Sequence, residues 1–278
     1  TGITPDEMNR YIETVNRLKS RCPDLNIYTM TCPISSQYYM PPSLKANMTE
    51  QLNDIRYIEA GMTEGVNVID VYSALYAHKD EKIYNCTDHH WSHLGAYYAA
   101  EALAKAAGVP YLPLSEYTEK HRENYVGSFY LLYGMKEIKN CPETFCYYVS
   151  PVKASAQYLN DDTGAQIKGM GNNIYFESMP LSESYSISSY FPEYLIVTTS
   201  EEANTGRRLL IIRDSYGSPL PGFLLGSFDV TVTIDIRSCK LDLYSLIENY
   251  GITDIVSIAN IYMHSSSNFT KKLSNVVY

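Results

Sequence analysis

The sequence predicts a three-layer α/β/α fold, on three observations. Helix and strand patterns alternate β-α-β-α-β at both ends of the chain, as in a parallel sheet with helices on both faces. Leu209-Leu210-Ile211-Ile212 is a continuous apolar run, as a central parallel strand buried on both sides should be. The chain is 45% hydrophobic and 19% charged, which supplies a sizeable core and excludes wholesale disorder.

The elements follow in order. Thr4-Pro5-Asp6-Glu7 reads as an N-cap, a proline at the first helical position and acids in the first turn. Met8, Tyr11, Ile12, Val15 and Leu18 continue at helical spacing. Asn26–Thr31 is a short strand. Asn47–Met62 is a second helix, with Leu52, Ile55, Ile58 and Met62 on one face. Val66–Val71 reads as a strong buried strand. Ser92 caps a helix over His93–Ala107 that stops at Gly108. Residues 110–205 hold many tyrosines and scattered Gly, Ser and Asn, with little helical periodicity. They read as an irregular, β-rich insertion or lid within one domain spanning 1–278. Order returns with a strand at Leu209–Arg213, a short helix at Pro219–Leu225, a strand at Val230–Ile236, a helix at Leu241–Asn249 and a strand at Ile252–Ile258.

Composition narrows function. The net charge of −9 argues against a nucleic-acid binder, which carries a basic face. There are 27 tyrosines against 7 phenylalanines and one tryptophan. Such an excess suits either sugar-binding grooves and wet interfaces or Tyr standing in for Phe on half-buried strands. The six cysteines form no C-x-x-C pair, so a zinc ribbon or thioredoxin motif is not expected. Cys141 and Cys146 are close enough in sequence for a loop disulfide. No apolar run reaches membrane-span length. The chain starts Thr1-Gly2 rather than Met, so a leader or anchor is expected to have been removed. Asn-x-Thr sequons at Asn47, Asn85 and Asn268 are assigned no glycan.

Three stretches carry potential chemistry. Thr87-Asp88-His89-His90-Trp91-Ser92-His93 lies just before a well-capped helix. A histidine base needs a carboxylate to fix its tautomer and stabilise its cation, and Asp88 stands two residues from His90. Asp88, His89, His90 and His93 are also metal-ligand types, and solvent-facing histidines behind a capping Asp are the bland alternative. In the second stretch, Leu209–Arg213 runs straight into Asp214-Ser215-Tyr216-Gly217. Sites in open α/β sheets form beyond the carboxyl ends of strands. A serine there, followed by turn N–H groups, is placed as a nucleophile beside an oxyanion site, or merely caps the next helix. The third stretch is a pair of strand ends. Asp235 and Arg237 close one strand and suit an ion pair. Asn260 closes the next and has an amide to donate. Ser215, Arg237 and Asn260 therefore end consecutive strands on one edge, and Asp88 and His90 follow a strand too.

This layout resembles the SGNH (GDSL-like) hydrolase superfamily. Asp88-His89-His90-Trp91, Arg213-Asp214-Ser215-Tyr216 and Ile234-Asp235-Ile236-Arg237 resemble the bacterial DHHW proteins, which are similar to periplasmic alginate O-acetyltransferase proteins. There too the Asp-x-His block precedes the Ser block, a permuted motif order. The resemblance covers 25–110 and 208–262, and touches 110–205 through Tyr125-Val126-Gly127-Ser128. The sequence departs from the superfamily pattern at its glycines: Arg213 precedes Asp-Ser, Arg237-Ser238 occupy the second block, and Ile258 stands in the third.

The resemblance implies a flavodoxin-like α/β/α, SGNH-hydrolase-like domain. The implied activity is that of an extracytoplasmic serine esterase or O-acyltransferase on cell-envelope or secreted carbohydrate, with a membrane acyl-donor partner. Ser215 is the implied nucleophile, His90 the base and then the acid, and Asp88 the residue that holds His90. The Tyr216 N–H, Asn260 and Arg237 are the implied oxyanion donors, with His89 and Trp91 beside the substrate. No cofactor or metal is called for, and no nucleic-acid partner. A non-catalytic surface protein that binds glycan or a partner is the alternative, and a metal-dependent hydrolase on Asp88, His89, His90 and His93 a third.

Overall fold

The computed structural model describes residues 4–45, 50–188 and 194–278. It contains strands β1 (Asn26–Cys32), β2 (Val66–Val68), β3 (Thr118–Tyr125), β4 (Glu143–Val149), β5 (Ala154–Asn160), β6 (Tyr194–Ser200), β7 (Arg208–Arg213), β8 (Val230–Asp235) and β9 (Asp254–Asn260). Seven of them form one sheet in the order β2-β1-β9-β7-β8-β6-β5. From β2 to β8 the strands are parallel. β6 and β5 add on antiparallel.

Alternation along the central strands divides the core. Leu209 and Ile211 of β7 face one hydrophobic layer, Leu210 and Ile212 the other. The first layer is covered by the helix His93–Ala107, whose inner face of Ala96, Ala99, Ala100, Leu103 and Ala104 permits close approach to the sheet. The second is covered by the helices Pro5–Arg21, Gln51–Ala60, Leu243–Tyr250 and Ser267–Val277. The three-layer α/β/α architecture read from the sequence is therefore present.

Several boundaries differ from the sequence reading. The strand expected at Val66–Val71 pairs only over Val66–Val68, at the sheet edge, where Val68 is exposed. An edge strand has one neighbour, and apolar composition does not distinguish edge from centre. The helix read from Asn47 is described from Gln51 to Ala60, and its expected start lies outside the described residues. The helix at Pro219–Leu225 shrinks to Leu220–Phe223, and the helix at Ser267–Val277 was not anticipated. Thr4 precedes the first helix without a side-chain cap bond, whereas Ser92 Oγ accepts from the Gly95 N–H at 3.2 Å.

Within 110–205, β3 and β4 pair as a separate two-stranded sheet. Phe145 and Tyr147 of this sheet pack on the same hydrophobic layer as the helix His93–Ala107. β5 and β6 are part of the main sheet. Cys141 and Cys146 are not bonded to each other, and the Cys146 thiol lies 3.2 Å from His121 Nδ1 instead. Many tyrosines, among them Tyr11, Tyr28, Tyr84, Tyr125, Tyr158 and Tyr185, are core residues whose hydroxyls find partners inside the protein. Among the described residues no helix is long and apolar enough to cross a membrane.

Candidate active site

The parallel strands deliver their carboxyl ends to one rim. β7 ends at Arg213, and Asp214-Ser215 turns at once into a short 3-10 segment, Ser215–Gly217. Ser215 Oγ lies 2.7 Å from His90 Nε2, and His90 Nδ1 lies 2.6 Å from Asp88 Oδ1. An ionised carboxylate only accepts, so Nδ1 carries the proton and Nε2 accepts from the Ser215 hydroxyl. All three side chains are buried, with the serine just reaching the surface.

Asp88 is heavily furnished with donors. Its Oδ1 also accepts from the His90 N–H at 2.9 Å. Its Oδ2 accepts from Tyr125 OH at 2.7 Å and from the Ser128 N–H at 2.9 Å. Burial by itself would raise this carboxyl. The His90 hydrogen bond and charge, with the Ser128 and Tyr125 donors, outweigh burial and hold it well below the usual carboxylate range. Gly127 makes this approach possible: a Cβ there would stand 2.5 Å from Asp88 Cβ.

Tyr185 clamps the row from the other side. Its ring stacks on His90 with centroids 3.8 Å apart at 5°. Its hydroxyl donates to the Ser215 carbonyl at 3.0 Å and accepts from Trp91 Nε1–H at 3.1 Å. Neither Tyr185 nor Tyr125 was singled out as a site residue from the sequence. Tyr125 had a signal in the string Tyr125-Val126-Gly127-Ser128. Tyr185, in a loop poor in pattern, had none.

The other expected site residues are placed differently. Asp214 Oδ1 accepts from the Tyr216 N–H at 2.8 Å. Its Oδ2 accepts from the Asn260 side-chain amide at 2.7 Å. Asn260 Oδ1 in turn caps Tyr262 and Met263. Two of the three expected oxyanion donors, the Tyr216 N–H and the Asn260 amide, thus bond the buried Asp214. Arg237 forms the ion pair with Asp235, Nε to Oδ1 at 2.8 Å. Its charge also reaches His89 and Asp214. Trp91 is wholly buried beneath Tyr216, a core residue rather than a substrate contact. His89 is half-buried, its N–H donating to Ser128 Oγ at 3.1 Å while Ser128 Oγ–H meets His89 Nδ1 at 2.5 Å. Burial, with the neighbouring His90 and Arg237 charges, pushes His89 down to about 4, so it is neutral near pH 7.

Asp88, His89 and His90 offer ligand-type atoms within 4.8 Å of one another. Both His90 ring nitrogens are engaged along the carboxylate–imidazole–hydroxyl row, so a metal ion on His90 has to break that row. His93 points away, among Phe145, Tyr147 and Phe223.

Comparison with known proteins identifies the family and the fold. The DHHW protein family model matches residues 9–234. A crystal structure of a DHHW family protein from Eubacterium siraeum is 31% identical with a TM-score of 0.92, over 97% of this chain and 88% of that one. The chain belongs to the DHHW family. Its fold extends further. PatB1 of Bacillus cereus, whose structure was solved with a sulfonyl adduct, is 19% identical with a TM-score of 0.77, covering 96% and 93% of the two chains. The O-acetyltransferase domain of Pseudomonas putida AlgJ is 13% identical with a TM-score of 0.52, covering 97% and 89%. Comparison with curated proteins finds no sequence match. The DHHW protein therefore shares the SGNH-like fold of these neighbours. Where that superfamily has glycine before Asp-Ser, this DHHW protein has Arg213, fully buried with its Nη1 3.4 Å from Asp235 Oδ2. Gly217 makes the room, since a Cβ there would come within 2.6 Å of Arg213 Cβ.

Proposed function

We propose that this DHHW protein is a serine esterase or O-acyltransferase that moves acetyl or similar acyl groups onto or off cell-envelope or secreted carbohydrate. The observation that carries the reading is the unbroken row Asp88–His90–Ser215, with both contacts at hydrogen-bond distance. Ser215 Oγ attacks the acyl carbonyl as its proton passes to His90 Nε2. Asp88 stabilises the imidazolium. His90 then protonates the departing alkoxide, leaving an acyl-serine. A sugar hydroxyl or water, deprotonated by the same nitrogen, completes transfer or hydrolysis. Ser215 opens its 3-10 turn, so its N–H has no intrahelical acceptor and is the oxyanion donor this reading favours. The fold shared with an O-acetyltransferase domain, and with a protein captured as a sulfonyl adduct, supports acyl chemistry. An extracytoplasmic location and a carbohydrate acceptor are part of this proposal.

The commitment of the Tyr216 N–H and the Asn260 amide to Asp214 favours a second reading, a non-catalytic binder of glycan or a partner protein. Intact mass after p-nitrophenyl acetate separates the two. One acetyl added to the wild type, mapped to Ser215 and missing from Ser215→Ala, is the expected result. No adduct with either the acetate or a reactive sulfonyl fluoride removes the enzyme reading.

A further inference from the structure

Among the described residues, an exposed apolar surface adjoins the candidate site. The helix Ser128–Tyr133 and the turn after it expose Leu131 (69%), Leu132 (60%), Tyr133 (66%) and Met135 (48%). Scattered exposed apolar residues are ordinary, whereas a contiguous group marks an interaction site. Successive helical residues are rotated by about 100°, so three exposed neighbours point most of the way round the axis. The segment is therefore a protruding tip rather than a flat face. A protein partner packs against one face, but a fluid apolar phase surrounds a tip on every side. Charge agrees with the second case. Exposed Lys136 and Lys139 follow on the next turn, and Lys139 Nζ lies 5.4 Å over the Tyr130 ring. Ammonium groups and tyrosines bordering an apolar tip are the arrangement that sits at headgroup level. The net charge of −9 belongs to the whole chain. Screening over about 10 Å makes the charges nearest the tip, Lys136, Lys139 and Glu137 among them, weigh more than that total.

We propose that this tip seats in the interface of a lipid bilayer carrying anionic headgroups. Its base is fastened to the site. Gly127 N–H donates to Thr87 Oγ1 at 3.0 Å, Phe129 N–H to the Thr87 carbonyl at 3.1 Å, and Ser128 N–H to Asp88. Seating the tip therefore holds Thr87 and Asp88, and with them the candidate site, close to the same surface. In a clause that rests on the acyl-transfer reading, the acyl donor is a membrane-resident ester or thioester rather than a soluble one. The docking itself does not depend on that reading.

The test is co-sedimentation of the whole chain with vesicles of equimolar phosphatidylcholine and phosphatidylglycerol. The wild type is expected to sediment with them. The double variant Leu131→Asp with Leu132→Asp is expected to lose binding at least tenfold while keeping the wild-type melting profile and soluble-ester activity. Lys136→Glu with Lys139→Glu should lose the binding that high salt also removes. Leu132→Trp gives a second readout, because Trp91 is the sole tryptophan and is buried. The new indole should blue-shift on adding vesicles. Wild type left in the supernatant, or binding unchanged in the aspartate variant, overturns the proposal. So does a dimer that the aspartate variant dissociates while vesicle binding stays absent, since a second copy then covers the tip. Loss of ester activity with vesicle binding retained counts against the acyl-transfer reading only.

Discussion

Tyr125 and Tyr185 hold the Asp88–His90–Ser215 row from its two ends, and each hydroxyl has a separable task. Tyr125→Phe removes one donor from a buried carboxylate and keeps the ring. Hydrogen bonds to charged groups are worth about 1.5–3 kcal/mol, so a stability loss of that size, read in urea denaturation, is expected. The acylation rate should fall with it. Tyr185→Phe preserves the stack on His90 but strands the buried Trp91 N–H, at a cost of about 1–3 kcal/mol. Asp88→Asn is the sharper test. An amide there favours the wrong His90 tautomer and leaves donors to residue 88 unpaired, so acylation by the folded variant should drop on the order of 10⁴-fold alongside a loss of stability. Equal acylation by Asp88→Asn and wild type in stopped-flow p-nitrophenol release excludes the row as a relay. Asp88, His90 and Ser215 were legible in the sequence because their chemistry demands rare residue types next to strand and helix boundaries. The tyrosine supports were not, since a tyrosine hydroxyl finds its partner through the fold and leaves no spacing behind. The partners of two expected oxyanion donors were not legible for a related reason. Tyr216 and Asn260 stand where expected, but Asp214, given no role from the sequence, accepts from both.

Asp214 is the pivot at the level of elements. It caps the turn after β7 and ties the end of β9 to it through Asn260. Burial pushes its carboxyl up, against the Arg237 charge and the Asn260 and Tyr216 N–H donors. Asp214→Ala leaves several buried donors without an acceptor and should cost about 3 kcal/mol or more, whereas Asp214→Asn retains one acceptor and should cost less. Urea denaturation resolves the order, and an alanine variant as stable as the asparagine one contradicts this role. Gly127 plays the corresponding part on the other side. Gly127→Ala must displace Asp88, so acylation should weaken even though residue 127 touches no substrate. The central strands were legible because they are apolar throughout. β5 and β6 were not, since antiparallel edge strands alternate and carry polar residues among the tyrosines of a loop-like segment.

For the whole molecule, acid is the condition that discriminates. His93 and His264 are fully buried, and burial lowers them to about 4 and about 3 from 6.5. Their folded-state values lie below the unfolded one, so the unfolded chain binds protons that the folded chain refuses. Stability therefore rises with pH across this window and is lost as pH falls from about 6.5 toward 4, by about 3 kcal/mol for each histidine at pH 4. Asp88, with its depressed value, keeps its contribution throughout that range and loses it only in stronger acid. Thermal melts between pH 7 and pH 4.5 should show a falling midpoint, with a shallower fall in His264→Phe. Parallel slopes in the two proteins place the acid sensitivity elsewhere.

The strand order has a consequence for the birth of the chain. β9 is the last of the described strands in chain order, yet it lies between β1 and β7. Until it emerges, β2-β1 and β7-β8-β6-β5 are two ribbons with raw inner edges and no bond between them. Pairings so distant in sequence close slowly, and open edges invite association in the interval. A ribosome that has read as far as Tyr250 has already made the serine, the histidine and the aspartate. It has not yet made the strand that completes the sheet under them. Chains cut short before β9 should accordingly aggregate and fail to react at Ser215, and the pairing of β9 between β1 and β7 is the event that completes the sheet under the site.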